Sequence, residues 1–452
     1  MGTTERLAKF IVDFDFSQLK ARDIEQVKTS IMDTIGVVLV GAKGPVGTIM
    51  TDYVKQMGGN PQARLIGSGI RTSVINAALA NGTFAHGDDY DAHPHTSVIM
   101  LPVAMALGEY LKLSGKKILE AYAVGWEVRV RLNSGLGNVQ FKAGFHSAPL
   151  QGTMGAAAEA AKLLGLNVTQ TRAAMGIAAS LASGIMQNFG TYTKPLHGGH
   201  AASSGMKAAF LASKGFTGDP DVLEGPKGYF YVYGQEQADI KRVTENLGKR
   251  PLAIADANAF NVKRWPNCYA NHPPIAAILH LIEKYDVKPE QVNAIEVLTF
   301  TKPPAALIRT NPQRGFEGKF SMQYSIATAL VDRKVDLNSY SDEKLARPMI
   351  QQLMKKVTVT QHPDTVDLPP ALFWEYPFQG VIITLRLDDG RVLSEREDHE
   401  HDLKGEEIYA KYRENARIGG VTAKDTERSM ELIKGLEDLK DVTKLVDTVV
   451  SE

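Results

Sequence analysis

Ionisable side chains suited to proton transfer are concentrated in one short stretch of this chain, residues 86–97. The ten positions that begin with His86 carry three imidazoles and three carboxylates. Pro94 disfavours helical backbone at the residue before it, so the stretch is predicted to be a loop. Imidazoles and carboxylates on a loop that is held by rigid elements are typical of catalytic sites.

Four further polar segments carry side chains of the same kind. They are centred on His146, on Lys194 with His197, on Lys263 with His272, and on Tyr324. The two glycines after His197 predict a turn beside Lys194, because glycine readily adopts backbone angles that other residues avoid. Three of these residues also have a purely structural explanation: His146 as a structural histidine, Lys194 as a surface charge and Tyr324 as part of a hydrophobic core.

The chemistry that these groups share is proton transfer at a carbon beside a carboxylate. Lysines bind carboxylates and stabilise enolate-like charge, and a histidine with a pKa near neutrality moves the proton. The sequence has no serine nucleophile elbow, dinucleotide glycine pattern, P-loop or HExxH motif. Two alternatives stay open: His93, His95, Asp89 and Asp91 could bind zinc or manganese, and His86 could merely oppose the negative end of its helix.

Composition excludes several classes of protein. The 452 residues include 51 basic and 51 acidic residues and a single cysteine, Cys268. Balanced charge argues against nucleic acid or an anionic membrane as the main partner. One cysteine excludes an intrachain disulfide and an iron–sulfur cluster held by several thiolates of one chain, and it favours a reducing compartment. With no recognisable signal peptide, and with no apolar stretch near the ~20 residues of a spanning helix, we expect a cytoplasmic protein.

Apolar spacing predicts the elements that position these groups. Steps of three and four residues predict helices over most of the first 260 positions and again from about residue 423. Between them the period changes: strands are predicted at 292–299, 357–360, 381–387 and 391–394, with helices at 274–285 and 323–331. Asp388-Asp389-Gly390 predicts a hairpin between the last two strands. The predicted fold class is mainly α with an α+β second domain.

In their order and spacing, these segments resemble the MmgE/PrpD family, which includes 2-methylcitrate dehydratase, cis-aconitate decarboxylase and iminodisuccinate epimerase. The resemblance covers nearly the whole chain, at residues 81–91, 144–146, 193–202, 215–225, 263–272 and 320–324. It implies a large all-helical domain built from both chain ends, 1–265 and 400–452, with an inserted α+β lid at 266–399. It also implies a homodimer that needs no metal or organic cofactor.

The resemblance assigns roles to single residues. The catalytic positions of the family fall on Asp89, His95, His146, Lys194, Lys263 and Tyr324. Asp91, His93, His197 and His272 lie beside them in the sequence and are expected to contact substrate. We expect all of these side chains to converge on one cleft.

The expected activity is that of a cofactor-independent lyase acting on a small di- or tricarboxylate, of the 2-methylcitrate dehydratase type. Lys194 and Lys263 would hold carboxylates, and His146 or His95 would remove the proton. Asp89, kept protonated by burial, or Tyr324 would protonate the departing hydroxyl. A decarboxylase or epimerase acting on a related acid is the next hypothesis. A metal-dependent hydrolase and a non-catalytic family member are the alternatives from other classes.

This sequence departs from the family pattern within the loop. The loop is shortened, Ala92 follows Asp91 where the family commonly has threonine, and His95-Thr96-Ser97 replaces His-Pro-Ser. At the boundary of the predicted second domain, Tyr269 or Ala270 stands where the family often has arginine. These differences lie where substrate would be held, so they bear on substrate identity.

Overall fold

A computed structural model describes residues 1–137, 139–256, 260–300, 306–363, 380–398 and 401–450. The chain divides into two compact units: Met1–Met186 with Tyr192–Val262 and Lys404–Glu452, and Gln187–Thr191 with Lys263–Leu403. The boundaries predicted from the sequence, at 265 and 400, lie near these, whereas the assignment of 187–191 to the second unit has no signal in the sequence. The fold is mainly helical with a small mixed sheet, which confirms the predicted fold class.

The first unit is built almost entirely from helices. They are α1 (Thr3–Asp13), α2 (Ala21–Lys43), α3 (Pro45–Met57), α4 (Val74–Ala85), α5 (Ser97–Leu111), α6 (Gly115–Leu136), α7 (Val139–Lys142), α8 (Ser147–Leu163), α9 (Val168–Leu181), α10 (Thr193–Ser213), α11 (Tyr229–Gly234) and α12 (Lys241–Glu245). The C-terminal part adds α17 (Glu406–Ile418), α18 (Ala423–Lys434) and α19 (Thr443–Asp447). Two short antiparallel strands, β1 (Ala63–Arg64) and β2 (Arg71–Thr72), lie between α3 and α4.

Helical periodicity in the sequence corresponds to buried helix faces in this unit. Val27, Ile31, Ile35 and Val38 of α2 are all inaccessible to solvent, as their spacing of three and four residues predicts. Helix α8 is rich in alanine and glycine, and its small side chains are buried along most of its length. Burial of these apolar faces supplies the main stabilisation of the helical unit.

The paired glycines Gly198 and Gly199 do not form the predicted turn, because they lie within α10. A Cβ at Gly199 would lie 2.0 Å from the carbonyl oxygen of Leu79 in α4, and a Cβ at Gly82 would lie 2.7 Å from the Cα of Gly199. The prediction was wrong because these glycines serve close helix packing, not an unusual backbone angle. Their small size lets α10 approach α4.

The second unit combines helices with a four-stranded sheet. Its helices are α13 (His272–Tyr285), α14 (Met322–Asp332), α15 (Asp342–Leu345) and α16 (Pro348–Lys356), and its strands are β3 (Val292–Thr299), β4 (Val357–Gln361), β5 (Val381–Leu387) and β6 (Val392–Glu397). The strand order is β4-β3-β5-β6, with β3 parallel to β4 and the other pairs antiparallel. The predicted hairpin is confirmed: Leu385 pairs with Leu393, and Gly390 has a φ of 86° in the turn.

Within the described residues, no single helix has the length and apolar character needed to cross a bilayer. Helices α2 and α3 reach that length and composition only when taken together, and they meet at an angle of 80°.

Candidate active site

The polar loop, residues 86–96, connects the end of α4 to the start of α5. Helix α4 begins after Ser73, whose side chain accepts a hydrogen bond from the backbone N–H of Asn76. His86 is the C-cap residue of α4, and the chain enters α5 at Ser97. Two helices packed in the core therefore hold both ends of the loop, and the side chains of His86, Asp89 and Asp91 are buried.

Asp91 is the centre of the hydrogen bonding in the loop. Its carboxylate is 0% exposed, with Oδ1 2.8 Å from His86 Nδ1 and Oδ2 2.7 Å from His95 Nδ1. Although burial opposes ionisation, the His95 and His86 imidazoles hold the pKa of Asp91 well below its usual value. Both carboxylate oxygens are engaged by imidazoles, which favours an orienting role for Asp91 over the substrate contact predicted from the sequence.

Lys194 links this loop to α10. Its side chain, 3% exposed, lies in the first turn of α10. The ammonium Nζ is 2.9 Å from Asp89 Oδ1 and 2.8 Å from His86 Nε2. Since Asp91 accepts from Nδ1 of His86 and the ammonium donates to Nε2, we assign His86 as a neutral imidazole protonated at Nδ1. Burial and then the charge of Lys194 lower the pKa of His86, in agreement with that assignment.

The same ion pair bears on the state of Asp89. From the sequence we expected burial to keep this carboxyl protonated. With the Lys194 ammonium 2.9 Å away, the carboxylate form is favoured instead. Asp89 therefore fits the role of a fixed anion that positions Lys194 better than the role of an acid.

A second pair of histidines lies beside the loop. His146 is the N-cap residue of α8, and His197 follows Lys194 by three positions in α10. Their Nδ1 atoms are 3.0 Å apart, so one ring donates and the other accepts. Burial, and then the neighbouring Lys194, hold the pKa of His146 well below its usual value. Burial also lowers the pKa of His197 to about 3, with His86 and Lys194 adding to the effect.

Four imidazoles lie close to one another, and one of them, His86, contacts Lys194. We call them the imidazole cluster: His86, His95, His146 and His197. The ring centroid of His86 lies 4.7 Å from that of His95 and 6.1 Å from that of His146. The rings of His95 and His146 are 6.3 Å apart. The lowered pKa values of His86, His146 and His197 favour neutral rings beside the Lys194 ammonium.

Within the first unit, the structure brings together most of the predicted site residues: Asp89, Asp91, His95, His146, Lys194 and His197. His93 lies at the margin of this group, with its ring centroid 6.0 Å from that of His95 and its backbone N–H donating to Asn261. His86 was missed, because its position at a helix end had an adequate structural explanation. Its place as the first residue of the dense polar stretch was the available signal.

The remaining predicted residues belong to the second unit. Lys263 is completely buried, and His272 Nε2 lies 3.2 Å from the carbonyl oxygen of Trp265. The Tyr324 hydroxyl donates to the carbonyl oxygen of Ser339, and burial raises the pKa of Tyr324 to about 12. For Tyr324 this favours the structural explanation. The convergence of these three residues with the imidazole cluster stays a prediction.

The metal-site alternative has a partial counterpart in the structure. Ligand atoms of His86, Asp89, Asp91 and His95 lie within 4.8 Å of one another, so His86 takes the place expected for His93. The Lys194 side chain already contacts two of these ligands, His86 and Asp89. A divalent cation would have to share them with an ammonium, and like charges at such distances repel. The donor set therefore suits a carboxylate-binding lysine better than a metal ion.

Buried neutral imidazoles predict a fold that weakens in mild acid. In the unfolded chain each histidine takes up a proton near pH 6.5, whereas in the native protein the pKa values of His86, His146 and His197 are lowered. Below about pH 6.5 the unfolded state therefore binds more protons than the native state. As the pH is lowered in this range, the free energy of unfolding should fall by about 1.4 kcal/mol per pH unit for each such residue. Urea denaturation between pH 7 and pH 5 measures this slope. The His197→Asn variant should take up about one proton fewer on unfolding, and an unchanged slope would contradict the prediction.

Comparison with known proteins identifies the family. Residues 5–241 match the MmgE/PrpD N-terminal domain, and residues 265–438 match the MmgE/PrpD C-terminal domain. The chain is 31% identical to cis-aconitate decarboxylase of Mus musculus over 466 residues, which cover 98% of this chain and 92% of that protein. It is 31% identical to the Homo sapiens enzyme of the same name, over 98% of this chain and 93% of the relative. For cis-aconitate decarboxylase of Aspergillus terreus the identity is 26%, over 99% of this chain and 95% of the relative. With both domain models matched in order and relatives aligned over nearly their full length, the chain belongs to the MmgE/PrpD family.

Proposed function

We propose that this protein is a decarboxylase of a small unsaturated tricarboxylate, with cis-aconitate as the first candidate substrate. The observation that carries the proposal is the 31% identity to cis-aconitate decarboxylases over 98% of the chain. The buried lysine within the imidazole cluster supports it. The similarity favours decarboxylation over the 2-methylcitrate-type dehydration that we ranked first from the sequence.

The reaction sets clear demands on a site. In cis-aconitate, one carboxylate is attached to a saturated carbon beside the carbon–carbon double bond. When that carboxylate leaves as carbon dioxide, its bonding electrons form a new double bond, and the electrons of the old one move to the carbon beside a second carboxylate. That carbon then takes up one proton. A trianion and a proton thus give a dianion and carbon dioxide, so the site must bind carboxylates, stabilise enolate-like charge and deliver a proton.

Lys194 meets the demand for a cation. Its ammonium lies in a water-poor environment where a charge interaction is much stronger than in bulk water. Asp89 holds the ammonium from one side at 2.9 Å. We propose that Lys194 binds a substrate carboxylate and stabilises the charge that moves onto it during carbon dioxide loss.

His95 is the best candidate for the proton donor. Its Nδ1 is held by the Asp91 carboxylate at 2.7 Å, and a carboxylate partner stabilises the imidazolium form. The His95 side chain is 15% exposed, whereas His86 and His146 are buried. Of these three imidazoles, His95 is therefore the most accessible to substrate. His146 is kept neutral by burial and nearby charge, which suits hydrogen bonding to substrate rather than proton donation.

Proton NMR of the reaction in D2O tests the proposed function. With cis-aconitate, we expect loss of carbon dioxide. We also expect one deuterium in the product, at the carbon that takes up the proton. 2-Methylcitrate and a chiral amino dicarboxylate serve as substrates for the dehydratase and epimerase alternatives. Water loss from 2-methylcitrate, or loss of a stereocentre, without turnover of cis-aconitate would overturn the proposal.

The reaction should not depend on a bound metal ion, because the Lys194 ammonium already contacts His86 and Asp89, the side chains that a metal ion would need as ligands. After treatment with EDTA and removal of the chelator, we expect kcat to stay within about twofold of the untreated enzyme. Recovery of lost activity by added zinc or manganese would instead favour the metal-dependent alternative. The homodimer and the independence from organic cofactors likewise stay predictions.

A further inference from the structure

We propose that two buried cations outside the polar loop, Lys411 and Arg129, are positioning residues that hold the loop by two of its backbone carbonyls. Asp33 is the partner that keeps the charge of Lys411 in place. The kinetic part of this proposal rests on the proposed function, whereas the conformational part does not.

Lys411 reaches the loop from α17, more than three hundred positions away in the sequence. Its Nζ lies 2.9 Å from the carbonyl oxygen of Tyr90 and 3.8 Å from the centroid of the Tyr90 ring. Asp33 of α2 lies on its other side, with Oδ1 2.7 Å from the ammonium, and both side chains are at most 3% exposed. The ion pair therefore fixes where the ammonium can donate, and it donates to the loop.

Arg129 holds the other end of the same segment from α6. One guanidinium nitrogen lies 2.9 Å from the carbonyl oxygen of Pro94, and the residue is 4% exposed. Burial lowers the pKa of Arg129 to about 10. Within the described part of the chain, no carboxylate forms an ion pair with this guanidinium. Burying a charge is costly. Because this buried guanidinium donates to a carbonyl of the loop, we infer that its role is to position the loop.

The two carbonyls belong to residues that lie directly beside the two strained residues of the loop. Asp89 and His95 have φ angles of 52° and 66°, in the left-handed region that residues other than glycine rarely adopt. Tyr90 directly follows Asp89, and Pro94 directly precedes His95. Strained backbone persists only where the surrounding structure holds it. Lys411 and Arg129 thus fix the peptide planes that follow Tyr90 and Pro94. The first plane leads into Asp91, and the second leads into His95, the proposed proton donor.

The test uses a variant that removes one donor without leaving a buried charge unpaired. In Asp33→Asn/Lys411→Met both members of the ion pair become neutral, so the fold should be retained while the Tyr90 carbonyl loses its donor. Amide hydrogen exchange in residues 88–96 should become at least about tenfold faster, with no change in α14. With cis-aconitate, kcat should fall by about 10- to 100-fold with a much smaller change in KM, because misplacement of a catalytic group by about 1 Å has effects of this size.

Arg129→Met provides an independent test at the other carbonyl and carries the test alone if the double variant does not fold. It should show the same local exchange and the same loss in kcat. The matched control is Arg413→Met/Glu427→Gln, which removes an exposed ion pair between α17 and α18 and should leave both readouts unchanged. Unchanged exchange in the loop of a folded variant would overturn the proposal. Failure of the wild-type protein to turn over cis-aconitate would overturn only the proposed function, because the exchange readout needs no substrate.

Discussion

Replacing Lys194 with methionine should lower kcat/KM by about a thousandfold. Methionine keeps the apolar stem but removes the ammonium, which contacts Asp89 and His86 and which we propose to face a substrate carboxylate. Removal of one donor that stabilises developing negative charge typically costs about 10²- to 10³-fold. Loss of substrate binding adds to that effect, so this variant should be nearly inactive in the NMR assay.

The fold of this variant must be measured together with its activity. The substitution leaves the buried Asp89 carboxylate without its cation, which can cost about 3–5 kcal/mol of stability. The double variant Asp89→Asn/Lys194→Met should recover much of the melting temperature but none of the activity. Lys207→Met, at an exposed position of the same helix, is the matched control and should behave like the wild type. Turnover near the wild-type rate in Lys194→Met would remove Lys194 from the site.

The second large effect is expected at His95. The His95→Gln variant should lower kcat by about 10²- to 10⁴-fold, the usual contribution of a positioned proton donor. Glutamine can still donate a hydrogen bond to Asp91, so the loop should keep its shape while the titratable proton is lost. Single-turnover measurements should show that the chemical step is slowed and that substrate still binds.

Two comparisons make the His95 result specific. His280→Gln, which changes a half-exposed histidine of the second unit, should leave kcat within about twofold of the wild type. His146→Gln should weaken substrate binding more than it slows the chemical step, because burial keeps His146 neutral. The opposite pattern, with kcat retained in His95→Gln and lost in His146→Gln, would assign the proton donor to His146.

The sequence by itself determined the local elements of this protein. Periodic apolar residues predicted α2 and α18, and the Asp388-Asp389-Gly390 turn predicted the β5–β6 hairpin, because local backbone preferences and burial of one face act over a few residues. The resemblance to one family also followed from the sequence, since it depends on the order and spacing of short segments. The types of side chain available for chemistry were visible in the same way.

Only the tertiary structure decided how those side chains are used. His86 was a plausible helix end until the packing of α10 against α4 brought Lys194 to its Nε2. The same packing showed that Gly198 and Gly199 allow close contact between helices instead of forming a turn.

The roles of the charged groups in and around the loop likewise could not be predicted from the sequence. Asp91 was a candidate ligand for substrate until both of its oxygens were found to be engaged by imidazoles. Lys411 gave no signal as a partner of the loop, because the two are more than three hundred positions apart. A carboxylate or an ammonium has its role set by the groups within about 4–6 Å of it, and in a helical protein those groups come from distant parts of the chain that only the packing of complete helices brings together.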